Sequence, residues 1–205
     1  MSSEPLVSAV IPTYNRPNLV VRAVKTALSQ THSNMEVVVV VDGPDDSTSK
    51  ALGAIADSRI QIITLQQHLG GSGARNAGVQ AATGEWIAFL DDDDEWLPSK
   101  IECQIEIARC SRYRIPVVSS QIIARTPRQD YVWPRRFPLP DEHISDYLFS
   151  RKSLFQGEGF ARHFGAGVSF SFHRLASFLD TLVAHRANFI RLIPAPPRDA
   201  TGQLS

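Results

Sequence analysis

Short apolar runs alternate with amphipathic stretches along the first half of the chain. The apolar runs predict buried strands over residues 7–11, 37–41, 60–65 and 85–90. After the first run, apolar residues recur at three- and four-residue spacing on one helical face, at Val20, Val24, Ala27 and Leu28. The chain is therefore expected to begin with a strand, a helix and a second strand.

Capping residues, prolines and glycines set the expected limits of the helices. Asn15 supplies a cap and Pro17 a first turn for the first helix, and residues 45–47 supply caps for a second helix that leads to Ile55. The remaining predicted elements are a helix over 74–82 after a glycine-rich loop at 70–73, a helix over 98–109 and a strand over 117–123.

This alternation of strands and helices predicts an α/β fold, with a mostly parallel sheet flanked by helices and right-handed crossovers. The carboxyl ends of parallel strands meet at one edge of the sheet, called here the carboxyl edge, and open α/β sheets bind their ligands there. Polar residues follow three of the predicted strands: residues 12–15, residues 42–43 and residues 91–94. The sequence thus places a candidate site at the carboxyl edge.

The acidic run Asp91–Asp94 is the strongest chemical signal in the sequence, with four consecutive aspartates after a buried strand. Carboxylates this close repel one another unless a cation or a helix N-terminus absorbs their charge. The helix expected near Pro98 accounts for one or two of them. A divalent cation of the Mg²⁺ or Mn²⁺ type takes oxygen ligands from one or two carboxylates, and the position of the run favours that interpretation.

Four blocks of the sequence together resemble the ordered signatures of family 2 glycosyltransferases with the GT-A fold. They are residues 10–16, 40–43, 73–78 and 89–94. One block alone is weak evidence, but four in the family's order and spacing, over about residues 5–110, are specific. The resemblance implies a GT-A fold with a Rossmann-like nucleotide-binding half, and transfer of a sugar from a nucleoside-diphosphate sugar to an acceptor hydroxyl.

The resemblance also implies roles for individual residues. In this family an acidic D-x-D motif binds the metal ion and the nucleotide ribose, which points to Asp91, Asp92 and Asp93. Asp93 is the preferred ligand for Mn²⁺ or Mg²⁺, and Asp91 is the second metal ligand. The remaining expected nucleotide-sugar contacts are Pro12, Thr13, Tyr14, Asn15, Asp42 and Arg75.

Ordinary structural roles are the alternative for several of these residues when each is taken alone. Thr13 and Asn15 are also suited to capping a helix, Asp42 followed by glycine is typical of a turn, and Arg75 is compatible with a surface cation. Only their combination favours the functional interpretation.

The family inverts the anomeric centre and takes its general base from an Asp or Glu in the second half of the domain. The acidic pair expected beyond Gly159 is missing, and the available carboxylates Asp141, Glu158 and Asp180 lack the expected neighbours. The catalytic base is therefore unassigned.

The resemblance, together with a change in composition near residue 161, implies three parts of the chain. Residues 1–125 form the expected nucleotide-sugar-binding half, and residues 126–160 an acceptor-side segment. Residues 161–205 contain no Lys, Glu, Tyr or Trp and end in a proline-rich stretch. We expect that last part to be a divergent tail with one loosely attached helix, outside the nucleotide site.

Charge and length limit the partners of this 205-residue chain. A formal net charge of zero argues against nucleic-acid binding, whereas the expected partners are a nucleoside-diphosphate sugar and a saccharide or lipid-linked acceptor. The start of the chain lacks the features of a signal peptide, and no apolar stretch reaches the roughly 18 residues of a membrane span, so a cytoplasmic location is expected. A group of arginines is suited to contact with an anionic membrane surface: Arg109, Arg112, Arg114, Arg125, Arg128, Arg135 and Arg136.

Two other functions compete with an active glycosyltransferase. A catalytically impaired or truncated nucleotide-sugar-binding remnant is favoured by the missing base. A sugar nucleotidyltransferase should carry a glycine-rich phosphate loop directly after the first strand, and residues 12–16 are not such a loop.

Overall fold

The computed structural model describes residues 4–111, 118–133 and 189–190. The described residues fall into two compact units. One comprises residues 4–111, 118–120 and 189–190, and the other comprises residues 121–133.

The first unit is an alternating α/β arrangement. Its elements in chain order are β1 (Val7–Thr13), α1 (Pro17–Leu28), β2 (Met35–Val41), α2 (Asp46–Gly53), β3 (Ile60–Thr64), α3 (Gly70–Ala81), β4 (Trp86–Phe89), α4 (Lys100–Arg109) and β5 (Val118–Ser119). The second unit contains the antiparallel pair β6 (Ile122–Ala124) and β7 (Tyr131–Trp133). A last strand, β8 (Phe189–Ile190), pairs antiparallel with β5 in the first unit.

The main sheet has the strand order β3-β2-β1-β4, and all of its pairings are parallel. This confirms the predicted fold class. Strands β1 and β2 occupy the centre, where β1 is wholly buried, as expected for a parallel sheet covered on both faces. The chain passes from β1 to β2 and β3 on one side, and then crosses to β4 on the other side of β1. The direction of winding therefore reverses between β1 and β4.

The five consecutive valines of β2 explain why both faces of the sheet are covered. Val37, Val39 and Val41 belong to one apolar core, together with residues of α1, α2 and α4. Val38 and Val40 belong to a second core on the opposite face, together with residues of α3. Burial of each such side chain contributes about 1.5–3 kcal/mol, so a strand that is apolar at every position favours helices on both sides.

Helix α3 approaches the sheet at a glycine. A Cβ at Gly78 would clash with the side chain of Val10 and lie 3.1 Å from that of Val40. A glycine in a helix costs roughly 0.5–1 kcal/mol relative to alanine, and here that cost is offset by the close packing of α3 on β1 and β2. This packing holds α3 above the centre of the sheet.

Several element limits differ from those that the sequence predicts. Asn15 does not cap α1: it has a φ of 54°, and Arg16 occupies the N-cap position without a side-chain cap. Helix α3 begins at Gly70, so the predicted glycine loop is the helix's first turn. A Cβ at Gly71 would lie 2.9 Å from the Arg75 guanidinium, so this glycine makes room for a side chain one turn later.

Other limits are closer to the prediction. Asp45 caps α2 by accepting a hydrogen bond from the Thr48 amide at 3.1 Å, as expected. Helix α4 begins at Lys100, two residues after the predicted start. The single strand predicted over 117–123 is two short strands, β5 and β6, which belong to different units.

The predicted boundaries at 125 and 160 stay predictions. The loosely attached helix and tail that the sequence predicts from residue 161 onward lie outside the described residues, apart from β8, whose backbone pairs with β5. Within the described part of the chain, no helix is both long and apolar enough to cross a bilayer.

Lys100, the first residue of α4, has an unusual titration. The residue is partly buried, and its ammonium nitrogen lies 4.7 Å from the centroid of the Trp96 ring and 3.1 Å from Oε1 of Gln104. Desolvation lowers the pKa of Lys100 to about 7. In the unfolded chain a lysine pKa is about 10.4, so between these two pH values the unfolded state binds more protons than the folded state. This group therefore makes the free energy of unfolding rise with pH over that window.

Replacing Lys100 by Met should abolish that rise. Between about pH 7 and about pH 9.5, we expect the wild-type chain to gain about 1–3 kcal/mol of stability relative to the variant. Urea unfolding at both pH values measures the difference. Replacing the exposed Lys50 by Met is the control and should leave the wild-type pH dependence intact. The same pH dependence in the Lys100→Met variant as in the wild type would contradict the assignment.

Candidate functional site

The candidate site lies at the carboxyl edge, where the winding of the sheet reverses between β1 and β4. Thr13 ends β1, and the acidic run follows β4 after Leu90. The register pairs Val10 of β1 with Phe89 of β4, so the residues after both strands emerge side by side. A crevice at such a reversal is where open α/β sheets bind ligands.

Asp92 joins the two strand ends. Its Oδ2 accepts a hydrogen bond of 2.7 Å from the Thr13 hydroxyl, and its Oδ1 lies 3.0 Å from Nη1 of Arg16. Asp92 is only 6% exposed. The Asp92 carboxylate therefore contacts protein groups inside the edge instead of facing solvent.

Burial raises the pKa of the Asp92 carboxyl above its ordinary value. The hydrogen bond from Thr13 and the charge of Arg16 act in the opposite direction, and the neighbouring Asp93 adds to the rise. Burial thus disfavours the ionised form of the Asp92 carboxyl, and Arg16 stabilises that form.

Asp91 forms an ion pair with Arg75 of α3, between Oδ1 and Nη2. The two side chains are 22% and 11% exposed, so water screens this pair only in part. Nε of Arg75 is buried and has no hydrogen-bond partner among the described residues. The close packing of α3 on the sheet therefore places the Arg75 guanidinium beside Asp91, the first residue of the acidic run.

Asp93 is the most accessible of these three aspartates. Its side chain is 34% exposed, and its Oδ2 lies 3.5 Å from Nη1 of Arg16, at the long end for an ion pair. Arg22 of α1 donates to the Asp93 carbonyl oxygen at 3.0 Å and pairs with the exposed Glu95 at 3.1 Å. Asp93 therefore presents its carboxylate to solvent, while its backbone is fixed by α1.

The chemistry of these side chains fits a divalent cation whose coordination shell is completed by ligands from outside the protein. Asp91 and Asp93 offer carboxylate oxygens, which Mg²⁺ and Mn²⁺ prefer. Among the residues that the structure describes, no group of three or more His, Cys, Asp or Glu side chains is arranged to hold a metal. One or two carboxylates suffice when substrate phosphates and water supply the remaining oxygens.

Asp42, at the end of β2, is held by the loop before α3. Its backbone amide donates to the Thr13 carbonyl at 2.9 Å. Its Oδ1 accepts from the Leu69 amide at 2.7 Å, and its Oδ2 lies 2.9 Å from Nδ1 of His68. Asp42 is 3% exposed, so its carboxylate orders the loop from within.

Two half-exposed aromatic rings lie beside Asp42. The rings of Tyr14 and His68 have centroids 4.3 Å apart and planes tilted by 37°. Pro12 is buried within β1, in register with Val40 of β2, and Asn15 is exposed. The structure thus gives the segment 12–15 different positions: Pro12 is part of the sheet, Thr13 is bonded to Asp92, and Tyr14 lies on the surface.

Three of the residues at this edge were not predicted from the sequence: Arg16, Arg22 and His68. Arg16 directly follows the polar residues after β1, and its position one residue before a helix was the available signal. Arg22 belongs to the amphipathic pattern of α1 and carries no local signal. His68 precedes Gly70, where a φ of 76° marks a special loop conformation before α3.

Comparison with known proteins identifies relatives over the same part of the chain. The model of glycosyl transferase family 2 matches residues 8–176. The succinoglycan biosynthesis protein ExoO of Rhizobium meliloti (strain 1021) is 40% identical over 120 residues, which cover 58% of this chain and 34% of that protein. The UDP-Glc:alpha-D-GlcNAc-diphosphoundecaprenol beta-1,3-glucosyltransferase WfgD of Escherichia coli is 38% identical over 102 residues, covering 50% of this chain and 40% of that protein.

A solved structure shares the fold. The mannosyltransferase PcManGT from Pyrobaculum calidifontis, in complex with GDP-Man and Mn²⁺, has a TM-score of 0.50 and 24% sequence identity. The match covers 62% of this chain and 37% of that one. The chain spans about a third to two fifths of the length of the curated relatives that it matches.

Proposed function

Because the chain belongs to glycosyl transferase family 2, we propose that it binds a nucleoside-diphosphate sugar at the carboxyl edge and transfers the sugar to an acceptor hydroxyl. The transfer is metal-assisted and inverts the anomeric centre. The nucleotide-sugar contacts are Thr13, Tyr14, Asp42, Arg75 and the aspartates 91–93.

The observation that supports this proposal is the convergence of Thr13, Asp42 and the acidic run at the reversal of the sheet. Thr13 contacts both other groups: its hydroxyl donates to Asp92, and its carbonyl accepts from the Asp42 amide. A sheet edge that brings anionic and cationic side chains together in this way provides ligands for a cation and countercharges for phosphates.

The three aspartates 91–93 have different roles in this proposal. Asp93 and Asp91 would hold the divalent cation, Mn²⁺ or Mg²⁺, which would neutralise negative charge on the departing nucleoside diphosphate. Asp92 fixes Thr13 and Arg16 instead of touching the cation. Arg75, paired with Asp91, lies where a guanidinium can also bind a phosphate oxygen.

The acceptor side belongs to the chain's second half. The candidate bases Asp141, Glu158 and Asp180 lie outside the described residues, so the general base stays unassigned. A saccharide or lipid-linked acceptor is in keeping with the activity of WfgD, whose name describes transfer of glucose to a diphosphoundecaprenol-linked sugar. The exposed Arg125 and Arg128 of the second unit are suited to contact with an anionic membrane surface from the cytoplasmic side.

Nucleotide binding tests the proposal most directly. We expect UDP or GDP to raise the thermal midpoint of the chain when Mn²⁺ is present, and to lose most of that effect in EDTA. Binding to the folded state alone stabilises by about 2.7 kcal/mol when the ligand is at about 100 times its Kd, so the shift is easily measured. The corresponding sugar nucleotides should shift the midpoint in the same way.

The absence of a shift with every nucleoside diphosphate would reject the proposal. Release of free nucleoside diphosphate from a sugar nucleotide would separate an active transferase from a remnant that only binds. A nucleotidyltransferase would instead consume a nucleoside triphosphate, and release of inorganic pyrophosphate would reveal it.

A further inference from the structure

A group of three polar side chains surrounds the start of α4 and has no part in the proposed nucleotide-sugar site. Lys100, the first residue of α4, places Nζ 3.1 Å from Oε1 of Gln104 and 4.7 Å from the centroid of the Trp96 ring. Trp96 and Gln104 are 4% and 3% exposed, and Lys100 is partly buried. Trp96 belongs to the same apolar core as Ile101 and Ile105 of α4. The group is therefore polar in a largely apolar setting.

The hydrogen bonding of this group is incomplete. Nε2 of Gln104 and Nε1 of Trp96 are buried donors without a hydrogen-bond partner among the described residues. Leaving such a donor unpaired costs about 1–3 kcal/mol. In the described part of the chain Lys100 forms no ion pair, and its hydrogen bond goes to Oε1 of Gln104. The group thus has more donors than acceptors and lacks a negatively charged partner.

The amine of Lys100 is available as a nucleophile. Desolvation lowers the pKa of Lys100 to about 7, so most of these side chains are neutral at about pH 8. An ordinary lysine, with a pKa of about 10.4, is neutral in well under 1% of molecules at that pH. Only the neutral amine has the lone pair that attacks an electrophilic carbon. Lys100 is therefore far more reactive than an exposed lysine.

Burial of the two unpaired donors favours a small, uncharged reagent. A hydrated anion would lose its water to reach the N–H groups of Trp96 and Gln104, which costs several kcal/mol. Carbon dioxide is small and uncharged, so it enters without that cost. Its product with an amine is a carbamate, which has the negative charge and the two acceptor oxygens that the group lacks.

We propose that Lys100 is a carbamate-forming site for dissolved carbon dioxide, with Gln104 as a positioning residue. The Nζ lone pair forms a C–N bond to the carbon, one C=O π bond opens to leave a negative charge on oxygen, and the proton that Nζ loses passes to solvent. The remaining N–H donates to Oε1 of Gln104, and one carbamate oxygen accepts from Nε2. The second oxygen accepts from Nε1 of Trp96. This site is independent of the proposed transferase function.

Carbon NMR with isotope-labelled hydrogencarbonate detects the modification directly. The full chain is equilibrated with the label at about pH 8, where a carbamate carbon is resolved from hydrogencarbonate and carbon dioxide. The amino terminus, with a pKa of about 8, also forms a carbamate. We therefore expect two protein signals in the wild type and the loss of one in Lys100→Met. Lys50→Met, at an exposed position, is the matched control and should keep both.

Two substitutions test the positioning role of Gln104. Gln104→Met keeps the length of the side chain and removes the amide, so the carbon dioxide concentration that modifies half of Lys100 should rise about tenfold. Gln104→Glu places a carboxylate beside Nζ, which favours the ammonium and repels a carbamate, so the Lys100 signal should disappear. A merely structural role for Gln104 would leave the signal unchanged in both variants, once circular dichroism shows that they are folded.

Unfolding provides a second measurement. At about pH 8 we expect hydrogencarbonate to stabilise the wild type against urea relative to chloride of equal ionic strength, and to leave Lys100→Met unaffected, because the modification requires the folded state. Urea should also remove the Lys100 signal of the wild type and keep the amino-terminal one, which decides the matter if Lys100→Met does not fold. A wild-type chain with the amino-terminal signal alone, or a second signal that survives in folded Lys100→Met, would overturn the inference.

Discussion

Replacing Asp93 by Asn lowers the affinity of the chain for a nucleoside diphosphate in Mn²⁺ by on the order of 100-fold, and leaves the weak binding in EDTA unchanged. The substitution keeps the shape of the side chain and removes one carboxylate charge. Of the aspartates 91–93, Asp93 is the one whose carboxylate faces solvent, at 34% exposure, and its closest cation is Arg16 at 3.5 Å. The loss should therefore fall on the metal-dependent part of binding.

Calorimetric titration of UDP or GDP in Mn²⁺ and in EDTA measures the metal-dependent and the metal-independent affinity. Glu95→Gln is the matched control. It also removes one carboxylate charge, two residues after Asp93, and the Glu95 side chain is half exposed and paired with Arg22. That variant should bind as the wild type does, within a factor of about two. Undiminished binding by Asp93→Asn, or wild-type binding that ignores EDTA, would disprove the assignment of Asp93 to the metal.

Replacing Arg75 by Met destabilises the metal-free protein by about 2–4 kcal/mol. The change leaves Asp91 without its cation in a run with three other aspartates, in a place where its side chain is 22% exposed. Breaking one partner of a fully buried pair costs roughly 3–5 kcal/mol, and the partial exposure here reduces that figure. Saturating Mn²⁺ should restore part of the stability, because a bound cation supplies the missing positive charge.

Urea unfolding of the Arg75→Met variant, with Mn²⁺ and with EDTA, measures the loss and its recovery. Arg22→Met is the control, because its pair with Glu95 is about half exposed on both sides and should contribute no more than about 1 kcal/mol. A loss in Arg75→Met as small as in the control would show that the Asp91 pair adds little to stability. The same loss with and without Mn²⁺ would show that the cation does not bind next to Asp91.

The sequence alone determines the class of the fold and the edge at which the candidate site residues meet. A strand that is apolar at every position, as in residues 37–41, requires cover on both faces, and its alternation with helices leads to a parallel sheet. Because parallel strands end at the same edge, the polar residues after β1, β2 and β4 had to meet there. The local cap at Asp45 was also predictable, since its partner Thr48 is three residues away.

Only the tertiary structure decides how the residues at that edge pair. No local pattern assigns partners to the consecutive aspartates, yet Asp91 pairs with Arg75, Asp92 is buried against Thr13, and Asp93 is the most exposed of these three. Thr13 and Asp92 are 79 residues apart, and they meet because β4 lies next to β1 in the strand order β3-β2-β1-β4. No local pattern specifies that order, since hydrophobic periodicity fixes the face on which a side chain lies and not the strand beside it.

The limits of local sequence patterns also explain why the sequence did not predict the structural roles of residues 70–73 and of Asp42. Glycine is common in loops, and residues 70–73 read as one, but α3 begins there because Leu69 is anchored to Asp42 and Gly71 leaves room for Arg75. Asp42 reads as a ligand-binding acid or a turn, whereas its contacts with Leu69 and His68 form only when the loop before α3 folds over the end of β2. Composition and spacing place the chemistry at one edge, and long-range packing assigns each side chain its partner.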